Sequence, residues 1–262
     1  MHSDTQYTLK AGTIFARTWT PAALSNDVPL VLLHDSLGSI ELWRDFPEVL
    51  ANRLQRRVFA YDRLGFGRSS PRSELPSLNF IREEAEQNLP EILDQAGIST
   101  FAILGHSVGG SMALVAASLW PGRCQAVVSI AAQAFVEDQT VIGVKAARRL
   151  FRNSEQLDRL KKWHGEKAQW VVQAWTETWL SPDFATWNLA ADLPQVTCPV
   201  LVLHGDLDEY SSQRFPEFIC QYSGGPTEKH ILTACGHVPH REKPDEVLEL
   251  IVRFLDHPAT SG

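Results

Sequence analysis

Short apolar runs alternate along the chain with stretches whose apolar residues recur at helical spacing. Val28 to Leu33, Arg57 to Tyr61, Phe101 to Leu104, Ala126 to Ala131 and Pro199 to Leu203 are brief and largely apolar on both alternating faces. That is the pattern of parallel strands covered on both sides. Between them, Ile40 to Leu54, Phe80 to Ala96, Ser107 to Leu119 and Phe215 to Tyr222 read as amphipathic helices, the third stopped by Pro121 and Gly122. Tyr7 to Lys10 and Ile14 to Thr18 are close enough to form an antiparallel hairpin at a sheet edge. Glu228 to Ala234 supplies a last strand, and "KPDEVLELIVRFLDH" a closing helix with Pro244 in its first turn. Strand and helix alternating in this way predict an α/β protein built on a mostly parallel sheet.

One region breaks the rhythm. Residues 133–194 hold no strand-like run, only helical patterns, and five of the eight tryptophans fall there: Trp163, Trp170, Trp175, Trp179 and Trp187. This predicts a helical cap inserted into an α/β core made of residues 1–132 and 195–262. Trp175 and Trp179 lie four apart and share a helix face; the tryptophans invite an apolar pocket under the cap, but an aromatic stripe at helical spacing is more often the cap's own core, so none is assigned to a substrate. The basic run "RLKKWHGEK" reads as a solvated helix face.

Composition narrows the function classes. With 262 residues, 44% hydrophobic and 21% charged, the chain is an ordinary globular one. A net charge of −7 gives no basic face for nucleic acid. The four cysteines form no CxxC pair, so a reduced cytoplasmic chain is expected. The first residues lack a signal-peptide pattern, and no apolar run approaches the roughly 18 residues needed to span a bilayer. HExxH, the P-loop and GxGxxG are all missing, so neither a metal nor a cofactor is implied. No pattern specifies an oligomeric state.

Chemistry concentrates at "FAILGHSVGG". An apolar strand, then Gly105-His106-Ser107-Val108-Gly109, then a helix is the context a nucleophile elbow requires. A serine hydroxyl is a weak nucleophile near neutral pH and needs a base in hydrogen-bond reach, which in turn needs a carboxylate to orient it. "HGDLDEY" offers Asp206 and Asp208 after a strand, and "CGHVPHREKPDEV" offers His237 and His240 after another.

These motifs resemble the α/β-hydrolase fold over nearly the whole chain. "YDRLGFGRSS" is similar to that family's loop after its fourth strand, and "HDSLGS" to the Ser-Leu-Gly oxyanion loop of enol-lactone hydrolases and carboxylesterase-like members. The resemblance implies a Ser107, Asp208, His237 triad: the base follows the glycine directly, and the acid comes after glycine and two residues. Asp206 is then expected to order its turn, His106 to be structural, and His240 is the nearest rival base. The resemblance also implies oxyanion donors at the backbone N–H groups of Ser36 and Val108. The chain departs from many relatives at His34-Asp35, where they have His-Gly.

The expected function is a serine hydrolase cleaving an ester, thioester or lactone of a small-molecule metabolite through an acyl-enzyme. The alternatives are a lyase or cofactor-free oxygenase using His237 and Asp208 as a general base, and a ligand-sensing module that turns over slowly. Serine at 107 disfavours dehalogenase and aspartate-type epoxide hydrolase chemistry.

Overall fold

The structure is a computed structural model and describes residues 1–256. Eight strands form one sheet in the order β1-β2-β4-β3-β5-β6-β7-β8. β1 (His2–Leu9) and β2 (Gly12–Trp19) make the edge hairpin, and β2 also pairs antiparallel with β4 (Arg56–Tyr61). From β4 onward all pairings are parallel: β3 (Asn26–Leu33), β5 (Phe101–His106), β6 (Cys124–Ile130), β7 (Val200–Gly205) and β8 (Thr227–Leu232). The alternation read from the sequence is realised directly. Leu30 and Leu32 face one core with Val58, Ala60 and Leu104, while Val31 and Leu33 face the other with Phe59 and Ile103. Both faces are dry, which is why these strands are apolar throughout.

The helices differ from expectation at two places. The segment expected as one helix over Ile40 to Leu54 is a short 3₁₀ turn (Ile40–Trp43) followed by α1 (Phe46–Leu54), broken where Arg44 takes φ 55°. Pro47 in the first turn of α1 explains a fresh start there, since proline suits a helix only at its beginning. α2 (Phe80–Glu83) continues through a π-helical turn (Glu84–Asn88) into α3 (Leu89–Gln95). The N–H of Leu89 reaches back five residues to the carbonyl of Glu84. Pro90 follows without an N–H to donate, and the widened turn accommodates it.

α4 (Val108–Leu119) follows β5 and is buried almost throughout. The last strand stops at Leu232 rather than Ala234, where the chain turns with Ala234 at φ 51°. α8 (Arg214–Tyr222), α9 (Pro239–Glu242) and α10 (Pro244–Asp256) are the last helices of the described residues; the expected end of the closing helix at His257 lies outside them.

Between β6 and β7 lie α5 (Asp138–Leu150), α6 (Ser154–His164) and α7 (Ala168–Trp179), with short 3₁₀ turns and one isolated bridge, Phe135 to Asn188. The basic run at the end of α6 is not only a solvated face. Its His164 is 2% exposed, and Lys167 donates to the carbonyls of Gly67 (2.7 Å) and Ser69 (2.5 Å). His164 Nδ1 accepts from the N–H of Gly67 at 2.9 Å, and Nε2 donates to the carbonyl of Leu37 at 3.0 Å. The ring is therefore neutral, and burial pushes it from the ordinary 6.5 down to about 4.

That arrangement makes stability depend on pH. The unfolded chain protonates this histidine near 6.5, the native one only near 4, so its contribution is complete above 6.5 and is lost as pH falls towards 4. The loss is at most about 3 kcal/mol. Urea unfolding of His164→Gln, whose amide can both accept and donate, is expected to give a flatter stability profile between these pH values than the wild type. Parallel profiles would refute the assignment.

Candidate active site

The parallel strands deliver their following loops to one sheet edge. β3 is followed in sequence by its neighbour β4 on one side, yet β5 pairs on its other side, so the loops after β3 and β5 diverge there. Such a switch point is where open α/β sheets bind ligands. The loops bring together Ser36 (after β3), Ser107 (after β5), Gln133 (after β6), Asp208 (after β7) and His237 (after β8).

Ser107 has φ 57° and ψ −126°, a strained conformation for a residue with a side chain. Two glycines make the turn possible. A Cβ on Gly105 would stand 2.0 Å from the carbonyl oxygen of Gly109, and one on Gly109 would stand 2.2 Å from that of Leu33. The N–H of Ser107 is anchored on the carbonyl of Ile130 at 2.8 Å.

The hydroxyl of Ser107 donates to His237 Nε2 at 2.9 Å, and His237 Nδ1 donates to Asp208 Oδ2 at 2.8 Å. Asp208 is 4% exposed and fully engaged. Its Oδ1 accepts from the N–H groups of Tyr210 (2.8 Å) and Ser211 (3.2 Å), and its Oδ2 also accepts from the Ser211 hydroxyl (2.8 Å). Burial alone would raise this carboxyl, but the charge and hydrogen bond of His237 outweigh it and hold Asp208 below its ordinary value. For His237, burial works against the charged ring, and the Asp208 carboxylate overrides that and raises it. The geometry is that of a hydroxyl whose proton can pass to a base already fixed in the right tautomer.

Asp206 behaves as its turn suggests: it is exposed, and its Oδ1 accepts from the N–H of Cys235 at 3.2 Å. The rival base His240 packs instead against His106 (4.8 Å between ring centroids) and Trp43 (5.0 Å). His106 holds the histidine loop in place, its Nε2 donating to the backbone carbonyl of His237 at 2.7 Å.

The loop after β3 tolerates Asp35 without strain. Its φ is not positive, and its side chain closes the turn by accepting from the N–H of Leu37 at 2.8 Å. Burial opposes its charge, yet His106, whose Nδ1 is 3.4 Å from Asp35 Oδ2, holds it well below the usual carboxylate range. Asp62, in the loop after β4, ties this loop down by accepting from the N–H of Ile40 at 2.6 Å and of Arg68 at 2.8 Å. The N–H groups of Ser36 and Val108 donate to no group among the described residues. Val108 is the first residue of α4, where a helix leaves its N–H groups free and favours negative charge.

A cavity of about 350 Å³ opens over Ser107 and His237. Three of the cap tryptophans, Trp163, Trp175 and Trp179, line it, so the pocket reading holds for these three. Gln133 was not singled out in the sequence. It is 4% exposed, and its Nε2 donates to Ser107 Oγ at 3.2 Å, a second hold on the hydroxyl beside its bond to the base. Glutamine at a strand end carries no motif, so only the fold reveals it. Among the described residues no group of three or more His, Cys, Asp or Glu is arranged to hold a metal ion, and no helix is long and apolar enough to cross a membrane.

Known proteins resemble the chain to different extents. A "1-acylglycerol-3-phosphate O-acyltransferase ABHD5" from Sus scrofa is 34% identical over 119 residues, 44% of this chain and 32% of that protein. The chain thus matches only about a third of that relative's length. A proline iminopeptidase from Lactobacillus crispatus (strain ST1) is 24% identical, with 88% of this chain and 91% of that protein covered. Among solved structures, a bacterial membrane phospholipase A superposes with a TM-score of 0.79 at 20% identity, over 97% of this chain and 86% of that one. At that identity the likeness is one of fold. The sequence model of the alpha/beta hydrolase family, however, matches residues 30–250, a range that includes the elbow and the loops carrying Ser36, Asp208 and His237, and the chain belongs to that family.

Proposed function

We propose that the chain is a serine hydrolase that cleaves an ester, thioester or lactone of a small-molecule metabolite through an acyl-enzyme on Ser107. The observation that carries this reading is the unbroken hydrogen-bond line from Ser107 Oγ through His237 to Asp208. Ser107 attacks the carbonyl carbon as His237 takes its proton. The oxyanion accepts from the free N–H groups of Ser36 and Val108, donors fixed before the charge develops. His237 then protonates the leaving group, and water hydrolyses the acyl-enzyme by the same path in reverse. Segment 133–194 acts as a cap whose tryptophans bound the acyl group, and the partner is a small-molecule acyl substrate. The peptidase and acyltransferase among the relatives fit this reading, since both chemistries pass an acyl group to or from a nucleophile.

Single-turnover mass spectrometry in ¹⁸O-water on an ester the enzyme turns over tests the proposal. The expected result is a transient acyl adduct on the peptide containing Ser107 and solvent oxygen in the released acid. Product without adduct or solvent oxygen would point instead to His237 and Asp208 acting as a general base alone.

A further inference from the structure

Gln133 is a buried amide whose side chain hydrogen-bonds, among the described residues, to the nucleophile alone. Its Nε2 lies 3.2 Å from Ser107 Oγ and its Oε1 3.3 Å. A hydroxyl has one proton to give and two lone pairs to receive with. The Ser107 proton goes to His237 Nε2 at 2.9 Å, so the bond to the amide runs from Gln133 Nε2 into Oγ.

The backbone on either side is fixed without that side chain. The N–H of Ala131 donates to the carbonyl of Leu203 at 2.8 Å, and the carbonyl of Ala134 accepts from the N–H of Leu189 at 2.9 Å. The carbonyl of Gln133 itself accepts from the Ser111 hydroxyl at 2.7 Å. The residue also lines the cavity over Ser107. A polar side chain that is bonded only to the reacting atom serves the reaction rather than the fold.

The strength of this bond changes along the reaction, and that decides which step it serves. An interaction accelerates a step only when it is stronger in the transition state than in the state before it. In the free enzyme Oγ is a hydroxyl oxygen that already accepts from Gln133, so attack on a substrate begins and ends with the bond in place. In the acyl-enzyme Oγ is the bridging oxygen of an ester. Its lone pair is drawn into the carbonyl, and it accepts poorly. Once water adds to the acyl carbon that conjugation is broken, and Oγ accepts again as its bond to carbon begins to fail.

We infer that Gln133 is a catalytic residue of the second half-reaction, an N–H that loosens from Oγ when the acyl-enzyme forms and holds it again as water displaces it. The inference rests on the acyl-enzyme reading and deepens it. In this step the water oxygen bonds to the acyl carbon and one water proton passes to His237 Nε2. The C–Oγ bond then breaks, its electron pair stays on Oγ, and His237 returns the proton there, so that serine is restored and the acid is released with only water consumed.

The test separates the two half-reactions. In a single turnover of p-nitrophenyl acetate, release of p-nitrophenol reports acylation, and mass spectrometry of the Ser107 peptide follows the decay of its acetyl group. Gln133→Met keeps the length of the side chain and removes the N–H. Deacylation is expected to slow about tenfold, the effect of one neutral hydrogen bond, so that the acetyl group accumulates. Acylation, and the rate at which a fluorophosphonate labels Ser107, should change less than about threefold. Gln133→Leu, measured alongside, should show the same split and stands in if the methionine variant does not fold. Equal slowing of both half-reactions would make Gln133 a residue that only shapes the pocket, and unchanged deacylation would mean that Oγ does not use the bond; either overturns the inference while the acyl-enzyme stands. If neither acetyl nor fluorophosphonate is found on Ser107 of the wild type, the hydrolase reading itself fails and takes the inference with it.

Discussion

Ser107→Ala is expected to lower turnover of any ester substrate by about 10⁴–10⁶. The substitution removes only the Oγ atom, which bonds to His237 at 2.9 Å and to Gln133 at 3.2 Å. The backbone has no reason to move. Its positive φ is held by Gly105 and Gly109 and by the bond from the residue's own N–H to Ile130, none of which involves the hydroxyl, and alanine meets the same backbone strain as serine. A loss of rate thus reports chemistry rather than unfolding, and an unchanged thermal transition should accompany it. A variant that kept more than a tenth of the wild-type rate would show that no acyl group is carried on this residue. Residual activity far below that, yet above the reaction in water, is the expected share of the N–H groups of Ser36 and Val108 and of substrate positioning.

How much of this site could be read from the sequence follows from how local each signal is. The elbow was legible because its demands are local: small residues two before and two after a strained serine, a dry strand in front and a helix behind. Strand positions were legible because burial on both faces leaves nearly unbroken apolar runs. Ser107 and His237 meet across more than 100 residues of chain, and it was the resemblance to the α/β-hydrolase fold, not a local signal, that implied the meeting with Asp208. The ends of elements were less legible. Arg44 and Ala234 take left-handed backbone without being glycine, so nothing in their identity announces the break. Gln133 and Trp179 were missed as site residues for another reason. A glutamine after a strand and a tryptophan on an amphipathic helix each have an ordinary structural explanation. Only the neighbours reveal the difference: a hydroxyl beside Gln133, and the cavity over Ser107 beside Trp179. His164 looked like part of a charged surface because its periodicity is that of a basic run, while the ring itself turns inward to bridge Leu37 and Gly67.

Asp208→Asn is expected to cost about 10³–10⁴ in rate, and Asp206→Asn far less. The reasoning turns on donors and acceptors. Asp208 Oδ1 accepts two backbone N–H groups, so an asparagine there keeps its carbonyl oxygen on that side, and its amide nitrogen takes the place of Oδ2. That nitrogen is a donor facing His237 Nδ1, which must give up its own proton to receive the bond. The imidazole then carries its hydrogen on Nε2, and the hydroxyl of Ser107 faces a donor where it needs a base. The Ser211 hydroxyl can rotate to follow the change, so the fold should survive it. Asp206 has no such coupling. It is exposed, and its one bond, from the N–H of Cys235, needs only an oxygen that asparagine also provides. Steady-state kcat/KM for the two variants on one ester, with thermal unfolding alongside, decides between them. Asp206→Asn proving the more damaging at unchanged stability would transfer the orienting carboxylate to Asp206 and leave Ser107 and His237 where they are. Equal and mild effects would mean that His237 is held in its tautomer by its surroundings alone, which the single acceptor within 2.8 Å of its Nδ1 argues against.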